Sequence, residues 1–338
     1  MKILVVGCGS IGRRHAVNAR NFADVSLTDI DSNTLGKASN DLGIRGFKTL
    51  EDALSNHPDA VVVATPHHNH LEVSSAAINA GSHVLIEKPI SNSLDGVENL
   101  LTLAKKQDRR VHVVCNMRFH PGVSAIRDHL ADVGHVYFAR AQYGNWLPSM
   151  RPGADYSQLY CARKETGGGV ILDAIHEIDY LQWLLGPADS TMCHADKLSN
   201  LDVDVEDYAA IVLVHTGGAK SEIHLDYLQK IKMRGCVIAG EHGTLIWQSE
   251  GKKPEKCTVR FYKESTAQFT TLVDLDDVDL NEPYRKMMES FVASVSGKDI
   301  PDLLGGKEAL IDLKVALAAK LFSEKHRTMK IDNFGENR

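Results

Sequence analysis

Two short segments of this chain place chemistry-bearing side chains where a fold could hold them still. In HVLIEKP, residues 83–89, an acid, a base and a proline (Glu87, Lys88, Pro89) follow three apolar residues in a row. In GGGVILDAIHEIDY, residues 167–180, three glycines lead into a segment bearing Asp173, His176, Glu177, Asp179 and Tyr180. An ammonium group can hydrogen-bond a reacting hydroxyl and stabilise alkoxide charge as it develops. An imidazole can accept a proton near neutral pH, and a neighbouring carboxylate can orient it. Residues three and four apart share a helix face, so Asp173, His176 and Tyr180 are expected to point roughly the same way.

A third segment, GCGSIG at Gly7 to Gly12, follows the apolar run KILVV and opens an apolar-periodic stretch. Gly7 permits a tight turn, Gly9 lets backbone amides approach a pyrophosphate, and Gly12 lets a helix pack close to a strand. Ser10 and Ile11 sit at the helix N-terminus, whose unpaired N–H groups attract phosphate. A second run, Asp24 to Thr28, ends at Asp29, 20 residues after Gly9 (29 − 9). A carboxylate there accepts from a ribose 2′-hydroxyl and repels a 2′-phosphate, so NAD is expected rather than NADP. Arg13 and Arg14 are read as helix-surface residues.

Strands and helices alternate through the first third. DAVVVA at 59–64 and HVLIE at 83–87 read as buried strands, with helices over 67–80 and 94–106 and a strand at 111–115. That alternation predicts a doubly wound parallel sheet, a Rossmann domain, with ligands beyond the carboxyl ends of the strands. Thr65, Pro66 and Glu87-Lys88-Pro89 all lie at such ends. From Gly134 the pattern changes to short strands punctuated by Gly, Asp and Lys: HVYFARAQY, DYAAIVLVH, KSEIHLDYL, KMRGCVIAG and CTVRFYK. These predict a large, mostly antiparallel open sheet in an α+β domain. Late helices are expected at 282–295 and 306–323. The division falls near Pro121-Gly122, giving expected units of 1–118 and 119–338.

The 338 residues, 43% hydrophobic and 24% charged, fit two soluble globular domains. A net charge of −6 argues against a nucleic-acid binder. No apolar run is long enough to span a membrane, and MKILVVGCGS lacks a signal-peptide pattern, so a cytoplasmic protein is expected. The six cysteines are scattered without a C-x-x-C pair and are read as reduced structural thiols. PHHNH at 66–70 has no carboxylate at matching spacing, so no metal is expected.

Taken together, GCGSIG, Asp29, Ala64-Thr65-Pro66, His70, AGSHVLIEKP and GGGVILDAIHEIDYLQWLLG resemble the Gfo/Idh/MocA oxidoreductase family. The resemblance implies a Rossmann domain followed by an open-sheet domain, with a C-terminal helix packing back on the first. It implies that Lys88 reaches the substrate, that Glu87 lies near the nicotinamide ribose and that His70 lies near the cofactor. It also implies that an Asp and a His of the glycine-led segment, here Asp173 and His176, work with that lysine. Oxidising a carbinol to a carbonyl removes a hydroxyl proton as hydride leaves to NAD, which suits this set. The spacing D-A-I-H is one residue shorter than the family's D-x-x-x-H.

For the substrate, the resemblance implies a sugar, sugar acid or nucleotide sugar. NWLPSMRPGADYSQLYCARKETGGG, residues 145–169, with RFHPG, looks like a branch of the family associated with bacterial surface-polysaccharide and sialic-acid-type pathways. Arg151, Arg163 and Lys164 could bind an acidic group, Tyr160 or Trp146 could pack on a sugar face, and Arg118 lies at another strand end. A homodimer or homotetramer is expected by resemblance. Two other functions occur among relatives: a glycoside hydrolase that retains its NAD, and a dinucleotide-binding regulator.

Overall fold

The computed structural model describes residues 1–325; residues 326–338 of the expected second unit lie outside the described residues. A six-stranded sheet comprises β1 (Lys2–Val6), β2 (Asp24–Thr28), β3 (Arg45–Phe47), β4 (Ala60–Val63), β5 (His83–Ile86) and β6 (Val111–Val113). All five pairings are parallel, in the order β3-β2-β1-β4-β5-β6. The central strands read as unbroken apolar runs because helices cover both faces; every residue of β4 is buried. The connecting helices are α1 (Ser10–Ala19), α2 (Ser32–Leu42), α3 (Leu50–Leu54), α4 (His70–Asn79) and α5 (Val97–Lys106). From β1 the chain winds outward through β2 and β3, then returns to β4 on the other side. The crevice at that reversal opens beyond the carboxyl ends of β1 and β4.

The second sheet has eight strands. β7 (Val136–Gly144) precedes two short helices, α7 (Val170–Asp173) and α8 (His176–Leu185), and α6 (Pro121–Asp128) precedes β7. Then come β8 (Ala188–Asp196), β9 (Tyr208–His215), β10 (Lys220–Asp226), β11 (Met233–Gly240), β12 (Gly243–Gly251), β13 (Glu255–Lys263) and β14 (Gln268–Leu275). Their order is β14-β13-β12-β11-β7-β10-β9-β8, antiparallel except for the parallel β7–β10 pair. Burial alternates along β9, the signature of a sheet packed on one face only. The covered face lies under α6 and α8.

α9 (Glu282–Val295) crosses to the first sheet. Its Met287, Met288 and Phe291 share a buried cluster with Ile3, Val5, Ala16 and Ala19. α10 (Gly306–Lys325) runs along β8 and α8 and also meets β6 and α5. The two sheets are therefore tied together behind the crevice, which fixes the wall of one against the rim of the other.

Four strands are absent from the sequence reading: β3, which is only three residues long, and β8, β12 and β14 of the second sheet. β8 and β14 are the two edges of the sheet and are largely exposed, so neither carries a burial period. β12 does alternate, but glycines close it at both ends. The helix expected over 67–80 opens as a 3₁₀ turn at His67–Asn69 before α4, and the one expected from residue 94 starts at Val97, after Gly96 at φ +82°.

Candidate active site

The glycine turn between β1 and α1 is built by contact. A Cβ on Gly12 would lie 1.8 Å from the Gly7 carbonyl oxygen, and one on Gly7, at φ +94°, 2.5 Å from that of Ala64. Gly9 differs: a Cβ there would meet no protein atom within 4 Å, yet Gly9 lines the cavity. α1 starts after Gly9 with no side-chain cap. Open space in front of a helix N-terminus is the geometry a pyrophosphate requires, so these residues fit a dinucleotide. At the end of β2, Asp29 is held by two backbone amides, its Oδ2 accepting from Cys8 at 2.6 Å and its Oδ1 from Asp31 at 2.9 Å. Each oxygen keeps further acceptor capacity for a ribose hydroxyl.

A cavity of about 450 Å³ opens between the two sheets. The first sheet contributes Gly9, Ser10, Ile11, Thr65, Pro66, His67, Glu87 and Lys88 to its wall. The second contributes Tyr143, Arg151, Tyr160, Asp173, His176 and Arg234. Lys88 donates to the Asp173 carboxylate at 3.0 Å and to the Asp173 carbonyl oxygen. That carbonyl is free because the helix breaks here: Ala174 leaves the helical region at φ −98°, ψ 32°, and α8 starts afresh at His176. The break corrects the single-helix reading. Asp173 and His176 both face the cavity, whereas Tyr180 is fully buried beside Trp247.

Asp173 Oδ1 also accepts from the Tyr160 hydroxyl at 2.7 Å, and Oδ2 from Tyr227 at 3.3 Å. Burial pushes its pKa up, but the Lys88 charge and the Tyr160 hydrogen bond outweigh that and hold it at about 2. Burial lowers the Lys88 pKa, and the charge of Asp173 more than restores it, so the ammonium is kept. Asp173 thus orients Lys88 and makes no hydrogen bond to His176, contrary to the expected carboxylate–imidazole pair. The helix break separates the pair: Asp173 ends one helix while His176 begins the next.

His176 is kept neutral by burial, then by the charges of Lys88 and Arg234. Its Nδ1 is buried without a partner, leaving Nε2 as the nitrogen open to the cavity. Glu87 accepts from His15 Nε2 at 2.7 Å. Burial alone would raise the Glu87 pKa, but the His15 hydrogen bond and nearby positive charge bring it below its usual value. Burial and the charge of His70 push the His67 pKa down to about 3.

Other expected site residues lie elsewhere. Arg118 is buried against Asp179, donating from Nε at 3.1 Å and from its terminal nitrogen at 2.6 Å, and stands outside the cavity. Arg163 binds the Ser157 carbonyl at 2.8 Å and Asp202 at 3.2 Å, and Lys164 borders a separate charged cleft. Trp146 carries the Lys230 ammonium 2.7 Å from its ring centroid. His70 is fully buried and bonds the carbonyls of Pro89 at 2.9 Å and Thr65 at 3.0 Å, bracing the two rim loops rather than lining the cavity.

Arg14, read as a surface residue, lines the cavity and lies 4.7 Å above the Tyr284 ring of α9. Arg234, Tyr143 and Tyr284 were not anticipated. Arg234 is held by Glu177 at 2.7 and 3.2 Å and stacks 4.5 Å from Tyr143, whose pKa burial raises to about 12. A lone arginine inside the apolar strand KMRGCVIAG was the available signal.

Residues 1–115 match the family model described as an oxidoreductase family with an NAD-binding Rossmann fold, and residues 123–246 match the Gfo/Idh/MocA C-terminal domain. The chain belongs to the Gfo/Idh/MocA oxidoreductase family. This Gfo/Idh/MocA protein is 26% identical to the 1,5-anhydro-D-fructose reductase of Ensifer adhaerens, over 89% of this chain and 90% of that one. It is 23% identical to the myo-inositol 2-dehydrogenase of Thermotoga maritima, over 98% and 99%. It shares the fold of an Agrobacterium radiobacter oxidoreductase solved with NAD+, L-tartaric acid and magnesium: TM-score 0.81, 20% identity, 99% of both chains. It is an NAD-dependent oxidoreductase. Among the described residues no helix is long and apolar enough to cross a membrane.

Proposed function

We propose that this Gfo/Idh/MocA oxidoreductase dehydrogenates a secondary hydroxyl of a sugar, sugar acid or nucleotide sugar. The observation that carries the reading is one cavity lined by the Gly9–Ile11 turn, Lys88, Asp173 and His176. Relatives named as inositol dehydrogenases and a UDP-N-acetylglucosamine 3-dehydrogenase support a polyol or sugar substrate. When bound, NAD supplies the hydride acceptor. Lys88 donates a hydrogen bond to the substrate oxygen and stabilises its developing negative charge. His176, neutral at physiological pH, takes the hydroxyl proton on Nε2. Asp173 keeps Lys88 charged and aimed, with Tyr160 and Tyr227 fixing the carboxylate. Glu87, anchored by His15, and Asp29 bind the cofactor riboses. Expected units 1–118 and 119–338 would then act as cofactor and substrate domains.

The test is a screen of the purified protein with NAD against sugars, sugar acids and nucleotide sugars, following NADH formation. Substrate-dependent net NADH, with Lys88→Ala inactive on the same substrate, is the expected result. Product release with retained NAD and no net NADH would instead identify a hydrolase.

A further inference from the structure

We infer that the substrate carries an anionic group, seated at the outer end of the cavity between Arg14 of α1 and Arg151 of the β7–α7 segment. The inference rests on the dehydrogenase reading above and names the class of substrate for that site. Both arginines line the cavity that contains Lys88 and His176, although they belong to opposite walls.

The charges around the cavity do not balance. Of its carboxylates, Glu87 is engaged by His15, and Asp173 by Lys88. Arg234 has its own buried partner, Glu177. Among the described residues neither Arg14 nor Arg151 forms an ion pair with a carboxylate, whereas Arg13, one residue from Arg14, is paired with Asp41. Each lies over an aromatic ring, Arg14 at 4.7 Å from the Tyr284 centroid and Arg151 at 5.6 Å from that of Tyr160. Such rings position a guanidinium without neutralising it; Arg14 also hydrogen-bonds the Tyr284 side chain, and a guanidinium has five N–H donors, so donors remain for an anion.

A third cation closes the group. Lys252, in the β12–β13 turn, donates to the Met150 carbonyl at 2.7 Å, tying that turn to the segment that bears Arg151. Burial lowers the Lys252 pKa most, and the nearby charges of Lys253, Arg14 and Arg151 lower it further. Bringing like charges together is unfavourable unless a counter-charge visits the site.

One side chain links the arginine to the reacting groups. Tyr160 reaches from Arg151 to the reacting groups: its ring faces the guanidinium, and its hydroxyl bonds Asp173, which holds Lys88. A sugar with an acid at one position and the reacting hydroxyl at another could then meet the arginines and Lys88 within the same cavity. A carboxylate and a phosphate would both satisfy the arginines.

The test uses the NAD-loaded protein and needs no turnover, so it can fail while the dehydrogenase reading stands. Dissociation constants are measured calorimetrically for glucuronate, galacturonate and gluconate, each beside its neutral amide, and for glucose 1-phosphate beside glucose. At least one acid is expected to bind about tenfold more tightly than its amide, the scale of one charge-assisted hydrogen bond. The carboxylate and phosphate arms show which anion is preferred. Arg151→Gln and Arg14→Gln should each abolish that preference, weakening the acid far more than its amide, and Arg151→Lys should keep part of it. The advantage should shrink as salt rises. Equal binding of every anion and its neutral partner, or no binding of either, would overturn the inference. So would an acid preference that survives in the Arg14→Gln, Arg151→Gln double variant. If Arg14→Gln weakened NAD instead and left the preference intact, Arg14 would belong to the cofactor and the two-walled seat would be wrong.

Discussion

The two walls of the cavity are built in opposite ways. The Rossmann wall is mostly local: apart from Arg14 on α1, with Tyr284 beside it, its functional groups sit at the carboxyl ends of strands, and the strands' own sequences announce them. Lys88 follows HVLI, Thr65 follows AVVV, and the glycine turn follows KILVV. The second wall is assembled from afar. Tyr143 comes from β7, Tyr160 from a string of 3₁₀ turns, Asp173 and His176 from two helices, and Arg234 from β11. A wall of strand ends offers a fixed ledge for an invariant cofactor. One made from distant pieces can be altered piece by piece, which suits the partner that differs from enzyme to enzyme.

Damage to the local wall should have the largest effect. Gly12→Ala would force a Cβ to 1.8 Å from the Gly7 carbonyl and must displace the turn. We expect loss of stability on the order of 4 kcal/mol or more and no measurable NAD binding. Thermal unfolding with and without NAD checks both; wild-type stabilisation by NAD in the variant would contradict it.

Next comes the support beneath the assembled wall. Glu177 and Arg234 are a buried ion pair with side-chain exposures of 0% and 10%. Glu177→Ala leaves the guanidinium without its counter-charge, and breaking such a pair costs about 3–5 kcal/mol. Urea unfolding at unchanged m-value should reveal it, whereas a shift below about 1 kcal/mol would mean that Arg234 finds another partner.

Tyr160→Phe cuts more finely. It removes one hydrogen bond to Asp173 and keeps the ring, so kcat should fall by about three- to tenfold while NAD affinity holds. Unchanged kcat would leave Tyr160 with packing alone. The smallest effect is expected at Arg163, which points to Ser157 and Asp202 rather than the cavity. Arg163→Ala should change KM by less than about twofold and stability by no more than about 0.5 kcal/mol. A large rise in KM would restore it to the substrate site.

The same contrast sets how much was legible. Gly7, Gly9, Gly12, Asp29, Glu87 and Lys88 could be placed from sequence because a parallel strand and its following turn are contiguous in the chain. Asp173 and His176 were found as residues, but their relation was not, because helix periodicity carries no mark of the break at Ala174. Arg118 looked like a site residue at a strand end, yet Asp179, 61 residues away, holds it in the core. Arg234 and Tyr284 could not be paired with the cavity at all, since strand order in the second sheet and the path of α9 are tertiary facts. Arg14 was misjudged for the same reason: its aromatic neighbour lies at the far end of the chain.

The central claim is a division of labour: Lys88 and His176 perform the chemistry, and the glycine turn with Asp29 holds the cofactor. The most direct measurement is kcat and NAD dissociation constant, side by side, for Lys88→Ala, His176→Ala and the double variant on a substrate that the wild type oxidises. Each single change should lower kcat by about 10²–10⁴-fold. The double variant should lose less than the product of the two, because both groups act on one oxygen. NAD affinity should stay near wild type in all three. Near-normal kcat in both single variants, or a loss explained wholly by weaker NAD binding, would contradict the account.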